Sequence, residues 1–63
     1  MDERVVLRTK EAASYLGLSY KTLEQWRWTR RGPQYVKLGR SIGYKVLDLE
    51  AWLDTQTVTV EVR

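Results

Sequence analysis

Between residues 20 and 45 the chain places seven cations, Lys21, Arg27, Arg30, Arg31, Lys37, Arg40 and Lys45, against one acid, Glu24. That segment carries +6. The remainder, four cations against seven acids, carries −3, and together they give the net +3. Guanidinium and ammonium groups at this density donate hydrogen bonds to anionic oxygens. Gln25 adds a side-chain amide that donates and accepts at once. A basic middle between acidic ends is a directed field suited to a polyanion; the alternative is a lopsided solvated surface. Other chemistry is sparse. With no cysteine and no histidine, a Cys/His metal site is excluded. The acids are scattered, with no nucleophile–base pair or glycine-rich phosphate loop beside them, so neither catalysis nor a cofactor is expected.

The elements that position these groups are readable in order. The 63 residues allow one small domain, in which three Trp and four Tyr are the large core pieces. Val5, Val6 and Leu7 form an apolar entry too short for a signal sequence or a membrane span, and a cytoplasmic protein is expected. Thr9 is placed to cap a helix, with Glu11 in its first turn and Ala12, Tyr15 and Leu16 as one apolar stripe. Gly17 suits the left-handed helix end, Leu18 a buried turn position, and Ser19 the next cap. A second helix is predicted from about Tyr20 to about Arg30. At about 100° per residue, Leu23 and Trp26 share one side, and Lys21, Gln25 and Trp28 fall opposite.

Gly32-Pro33 then breaks the chain. Strands are predicted at 35–38 and 42–45, joined by Gly39-Arg40-Ser41, with Val36, Leu38, Ile42 and Tyr44 inward. Lys37, Arg40 and Lys45 then face out or sit at the tip. A third helix is predicted from Asp48 to Thr55, with Leu49, Trp52 and Leu53 as its stripe. The alternation over 57–63 predicts an extra C-terminal strand or tail, paired either with residues 4–7 or with the tail of another copy, or else frayed. Core positions by spacing are Leu16, Leu18, Leu23, Trp26, Trp52 and Leu53. Trp26 and Trp52 are expected in or near contact.

The run Thr9-Lys10-Glu11-Ala12-Ala13-Ser14-Tyr15-Leu16-Gly17-Leu18-Ser19, followed by Thr22-Leu23 and Trp26, resembles the helix-turn-helix of excisionase and AlpA-type DNA-binding domains, relatives of the MerR superfamily. Gly32-Pro33 with Val36-Lys37-Leu38-Gly39-Arg40, and Tyr44-Lys45 with Asp48-Leu49-Glu50-Ala51-Trp52-Leu53, are similar to that family's wing and closing helix. The resemblance covers about residues 7–54. It implies an α+β, mainly helical fold: a winged helix-turn-helix with a two-stranded wing and a closing helix, spanning the chain as one domain. Leu47 stands where the family commonly has a Ser-type cap, which leaves Asp48 to cap the third helix.

By this resemblance the second helix and the wing bind double-stranded DNA, and the protein directs recombination of a phage or mobile element. The alternative of the same fold is a transcriptional regulator or the DNA-recognition module of a phage packaging protein. A protein-interaction module for an acidic partner is the reading from another class. Candidate DNA contacts are Tyr20, Lys21, Thr22, Gln25, Trp28, Arg30, Arg31, Lys37, Arg40 and Lys45. Some keep a second reading: Trp28 as core folded over the wing, Thr22 as a local helix-start residue, and Arg30 and Arg31 as charges complementing a helix dipole. An integrase or other copies of the chain on DNA are the further partners, with no membrane and no small-molecule substrate expected.

Overall fold

The computed structural model describes residues 5–60. They form a small α+β domain in the order β1 (Val6–Arg8), α1 (Thr9–Leu16), α2 (Tyr20–Thr29), β2 (Val36–Leu38), β3 (Ser41–Lys45) and α3 (Val46–Thr55). The three strands make one antiparallel sheet in the order β1-β3-β2.

Helix α1 starts at Thr9, the expected cap, so its N-cap falls one residue earlier. Arg8 is the extended N-cap residue, and the Glu11 carboxylate in the first turn accepts its amide at 2.9 Å. An acceptor three residues on serves whatever side chain stands at the cap. Thr9 thereby becomes helical, and its hydroxyl accepts from Arg27 at 3.3 Å. Gly17, at φ 74°, ends α1 in the left-handed conformation; its amide and that of Leu18 reach the carbonyls of Ser14 and Ala13, so the last turn is closed without side chains. Ser19 caps α2 as expected, its Oγ accepting the Lys21 amide at 3.2 Å.

The wing differs from its expected register. Leu38 pairs with Ser41, Lys37 with Ile42 and Val36 with Gly43, so the turn has two residues, Gly39 and Arg40. Gly39 at φ 64°, followed by a residue without positive φ, is the type II′ pattern that matches strand twist. One residue fewer in the turn reverses the pairing parity. Val36 and Leu38 therefore share the face of Gly43, whose would-be Cβ points at Val6, Leu38 and Val36. Ile42 and Tyr44 lie on the other face, toward the helices. The expected inward set of four is thus split between two faces.

β1 adds a third strand. Val6, Leu7 and Arg8 pair with Lys45, Tyr44 and Gly43, so the N-terminal apolar segment joins β3. Thr57–Val60 form no strand; Val58 and Val60 are 81% and 74% exposed. Residues 61–63 and Arg4 of that expectation lie outside the described residues.

The core is Ala12, Ala13, Leu23, Tyr44 and Leu49, with Leu7, Leu16, Tyr20, Trp26 and Ile42 packed around it. Two alanines on α1 let α2 approach closely, and Leu23 fills the space between them. Trp26 and Trp52 meet at 5.5 Å between ring centroids, tilted by 53°, as their stripes predict, although both rings are half-buried. Leu53, expected in the core, is 40% exposed. Helix α3 lies down through Leu49 and Trp52, which turns Leu53 to the edge.

Helix α3 begins at Val46, directly after β3, and not at Asp48. Its Val46 amide donates to the Val5 carbonyl at 3.0 Å. One of the amides a helix start leaves unpaired is satisfied by the neighbouring segment, so Leu47 needs no capping side chain. Asp48 lies in the first turn, where a carboxylate is favourable to the helix dipole.

Candidate nucleic-acid interface

Helix α2 presents two faces. Leu23 is buried against α1, and Trp26 rests on Trp52. On the opposite side Lys21, Gln25 and Trp28 are all exposed. This is the polar face expected from the helical wheel, and Trp28, at 88% exposure, is not core folded over the wing.

The C-terminal end of α2 and the wing enclose an open groove. Its lining includes Arg27, Trp28, Arg30 and Arg31 from the helix end, Gly32–Tyr35 from the connection, and Lys37 and Ile42 from the wing. Lys37 was expected to face outward. Paired with Ile42, it stands on the helix-facing side and turns its charge into the groove. Four cations thus line one concavity, and Arg40 extends the positive surface from the exposed wing tip.

Arg30 is the C-cap of α2 in the left-handed conformation, at φ 59°. It is the one non-glycine residue with positive φ among the described residues. Here Cβ crowds the following carbonyl, at a cost of about 1–2 kcal/mol. The chain then turns through Gly32 at φ 81°, where a Cβ would lie 2.5 Å from the Trp26 ring. A side chain there cannot fit while Trp26 keeps its place under the helix end.

Arg27 is one of the cations of the basic segment but not one of the contacts expected from the sequence. Its Nη1 donates to the Tyr44 hydroxyl at 2.9 Å and to the Thr9 hydroxyl at 3.3 Å. Its guanidinium also lies 5.8 Å from the Tyr35 ring centroid, and Tyr35 in turn is 6.1 Å from Tyr44. One cation therefore ties α2 to the start of α1, to β3 and to the segment entering β2. This fixes the angle between helix and wing. Tyr35 and Gln34 were not singled out from sequence either. The i+2 alternation of Tyr35 with Lys37 is the signal that would have placed both on the groove side.

Residues 6–57 match the profile of the helix-turn-helix domain family. The chain belongs to the helix-turn-helix domain family. Its helix-turn-helix is α1, the Gly17 turn and α2, and DNA is the partner that this membership implies. The wing follows directly, so the basic groove lies between the second helix of the helix-turn-helix and the hairpin. No curated protein matches the chain. Among the described residues no helix is long and apolar enough to cross a membrane.

Not every candidate contact joins this surface. Tyr20 is half-buried against the core and carries the Lys10 ammonium 4.9 Å above its ring. Thr22 is half-buried in the first turn, its amide on the Ser19 carbonyl at 3.0 Å. Lys45 lies at the opposite end of β3 from the tip, its Nζ 4.0 Å from Asp48, on the sheet face of Gly43. It is separated from the groove by the width of the sheet.

Proposed function

We propose that the domain binds double-stranded DNA sequence-specifically, with α2 in the major groove and the wing on the flanking backbone. The supporting observation is the continuity of the exposed Lys21–Gln25–Trp28 face with the cationic groove and the wing tip. Lys21 and Gln25 meet base edges, where the major groove distinguishes all four base pairs. Arg30, Arg31 and Lys37 meet phosphates, and Arg40 meets a phosphate or a narrow minor groove. Tyr20, Thr22 and Lys45 lie outside this surface and are not among the proposed contacts. The cellular role we propose is that of an excisionase-type factor of a phage or mobile element. It binds and bends DNA so that an integrase excises instead of inserting, either with that integrase or with further copies of the chain on the DNA.

Selection from a random duplex pool tests the first part: a single enriched sequence is expected, and an unenriched pool contradicts it. The role is tested by adding the protein to a recombination reaction with an integrase encoded beside it. More excised product is expected. An unchanged ratio of products, together with a binding site over a promoter, contradicts the recombination role and favours transcriptional regulation.

A further inference from the structure

Trp28 is the feature of α2 that phosphate contacts and Gln25 leave unexplained. A domain this small has a limited core, yet it leaves the largest apolar side chain almost wholly in water, at 88% exposure. The other two tryptophans pack on each other. Trp28 stands seven residues, about two turns, beyond Lys21, and so falls within about 20° of it around the helix axis. It also borders the groove lined by Arg27, Arg31 and Lys37. An apolar ring set among cations on a DNA-facing helix has few partners of matching chemistry. Of the base edges in the major groove, only thymine presents an apolar group, its 5-methyl.

We infer that Trp28 reads thymine, by packing its indole against the 5-methyl group. The inference rests on the DNA-binding reading above and specifies what one part of that surface recognises. Gln25 and Trp28 are separated along the helix by about 4.5 Å, three residues of rise. The thymine therefore lies one or two base pairs from the base that Gln25 contacts. 5-Methylcytosine presents the same methyl group at the same place, so it substitutes for thymine at this position as far as Trp28 is concerned.

The experiment uses the full chain and the duplex selected from the random pool. Each thymine is replaced singly by uracil, which removes the methyl and nothing else. Affinities are measured by fluorescence anisotropy for the unaltered protein and for Trp28→Ala. At one thymine, uracil should weaken the unaltered protein about fourfold, the value of burying one methyl group. Trp28→Ala should bind more weakly than the unaltered protein and bind the thymine and uracil duplexes alike. Because Trp28 is exposed, this variant should melt with the unaltered protein, and a melting curve checks it. Trp28→Leu, which keeps an apolar side chain, should retain part of the discrimination if the variant with alanine loses folding.

Uracil without effect at every position, or with the same effect in both proteins, overturns the inference while duplex binding itself stands. Failure to bind any duplex overturns the DNA-binding reading instead. Binding to phosphatidylserine vesicles through Trp28, with uracil without effect on duplex binding, gives the ring to a lipid surface and overturns the inference as well.

Discussion

Arg30 holds a backbone conformation that glycine adopts without strain. At this helix end the sequence keeps a cation at a local cost, and the side chain lines the basic groove. Strain of this kind is kept where the side chain is needed. Arg30→Gly should raise stability by up to about 1 kcal/mol, the strain relieved less the extra freedom of glycine in the unfolded chain. The same change should weaken duplex binding and make its salt dependence shallower. Thermal melts and binding isotherms on one variant check both signs; a loss of stability contradicts the strain argument. Tyr15 supplies a second test at this scale. Its hydroxyl donates to Glu50, tying α1 to α3. That hydrogen bond first, then desolvation and the carboxylate's charge, raise the phenol above its ordinary 10.0. A group raised on folding contributes stability that is complete below the unfolded value and is lost as pH climbs through the folded one. The contribution should therefore be present below about pH 10 and fade only in alkali. A tyrosinate absorbance titration should show a late component that Tyr15→Phe removes.

At the scale of elements, the helix-turn-helix was legible and the sheet was only half so. Gly17, Ser19 and the stripe ending at Trp26 are local signals, and each stands where its chemistry places it. The wing failed on one residue of turn length: a three-residue turn would set Val36, Leu38, Ile42 and Tyr44 on one face, and the two-residue turn separates them. Gly43 hides the error, since it has no side chain to break the alternation. The start of α3 was illegible for another reason, because its first amide is satisfied by the Val5 carbonyl, a tertiary partner that no local pattern announces. Arg27 was missed because its partners, Thr9 and Tyr44, are distant in sequence. Gly43→Ala tests the sheet assignment. Its Cβ would lie 2.5 Å from Val6 and 3.2 Å from Leu38, prising β1 from β3 and costing about 1–3 kcal/mol as overpacking does. An unchanged melting temperature contradicts this packing. Trp26→Ala and Trp52→Ala should each cost about 2–3 kcal/mol, below the 3–5 of fully enclosed tryptophans because both rings are half-buried.

At the scale of the whole molecule, the +6 segment becomes a surface and not merely a stretch of sequence. Four of its cations gather in one groove, and one caps the wing. If Arg30, Arg31, Lys37 and Arg40 neutralise about four phosphates, log K should fall against log salt with a slope near −3.6. The central claim is that α2 reads sequence while the wing supplies affinity. It is tested most directly by comparing Gln25→Ala and Arg40→Ala on the selected site and on scrambled duplex, at two salt concentrations. Gln25→Ala should lose about 1–3 kcal/mol on the selected site and little on scrambled DNA, as a residue proposed to pair its amide with a base edge must. Arg40→Ala should weaken both duplexes by a similar factor and make the slope shallower by about one unit. The reverse pattern, with Arg40→Ala changing base preference at the centre of the site and Gln25→Ala weakening every duplex equally, would contradict the assignment of helix and wing.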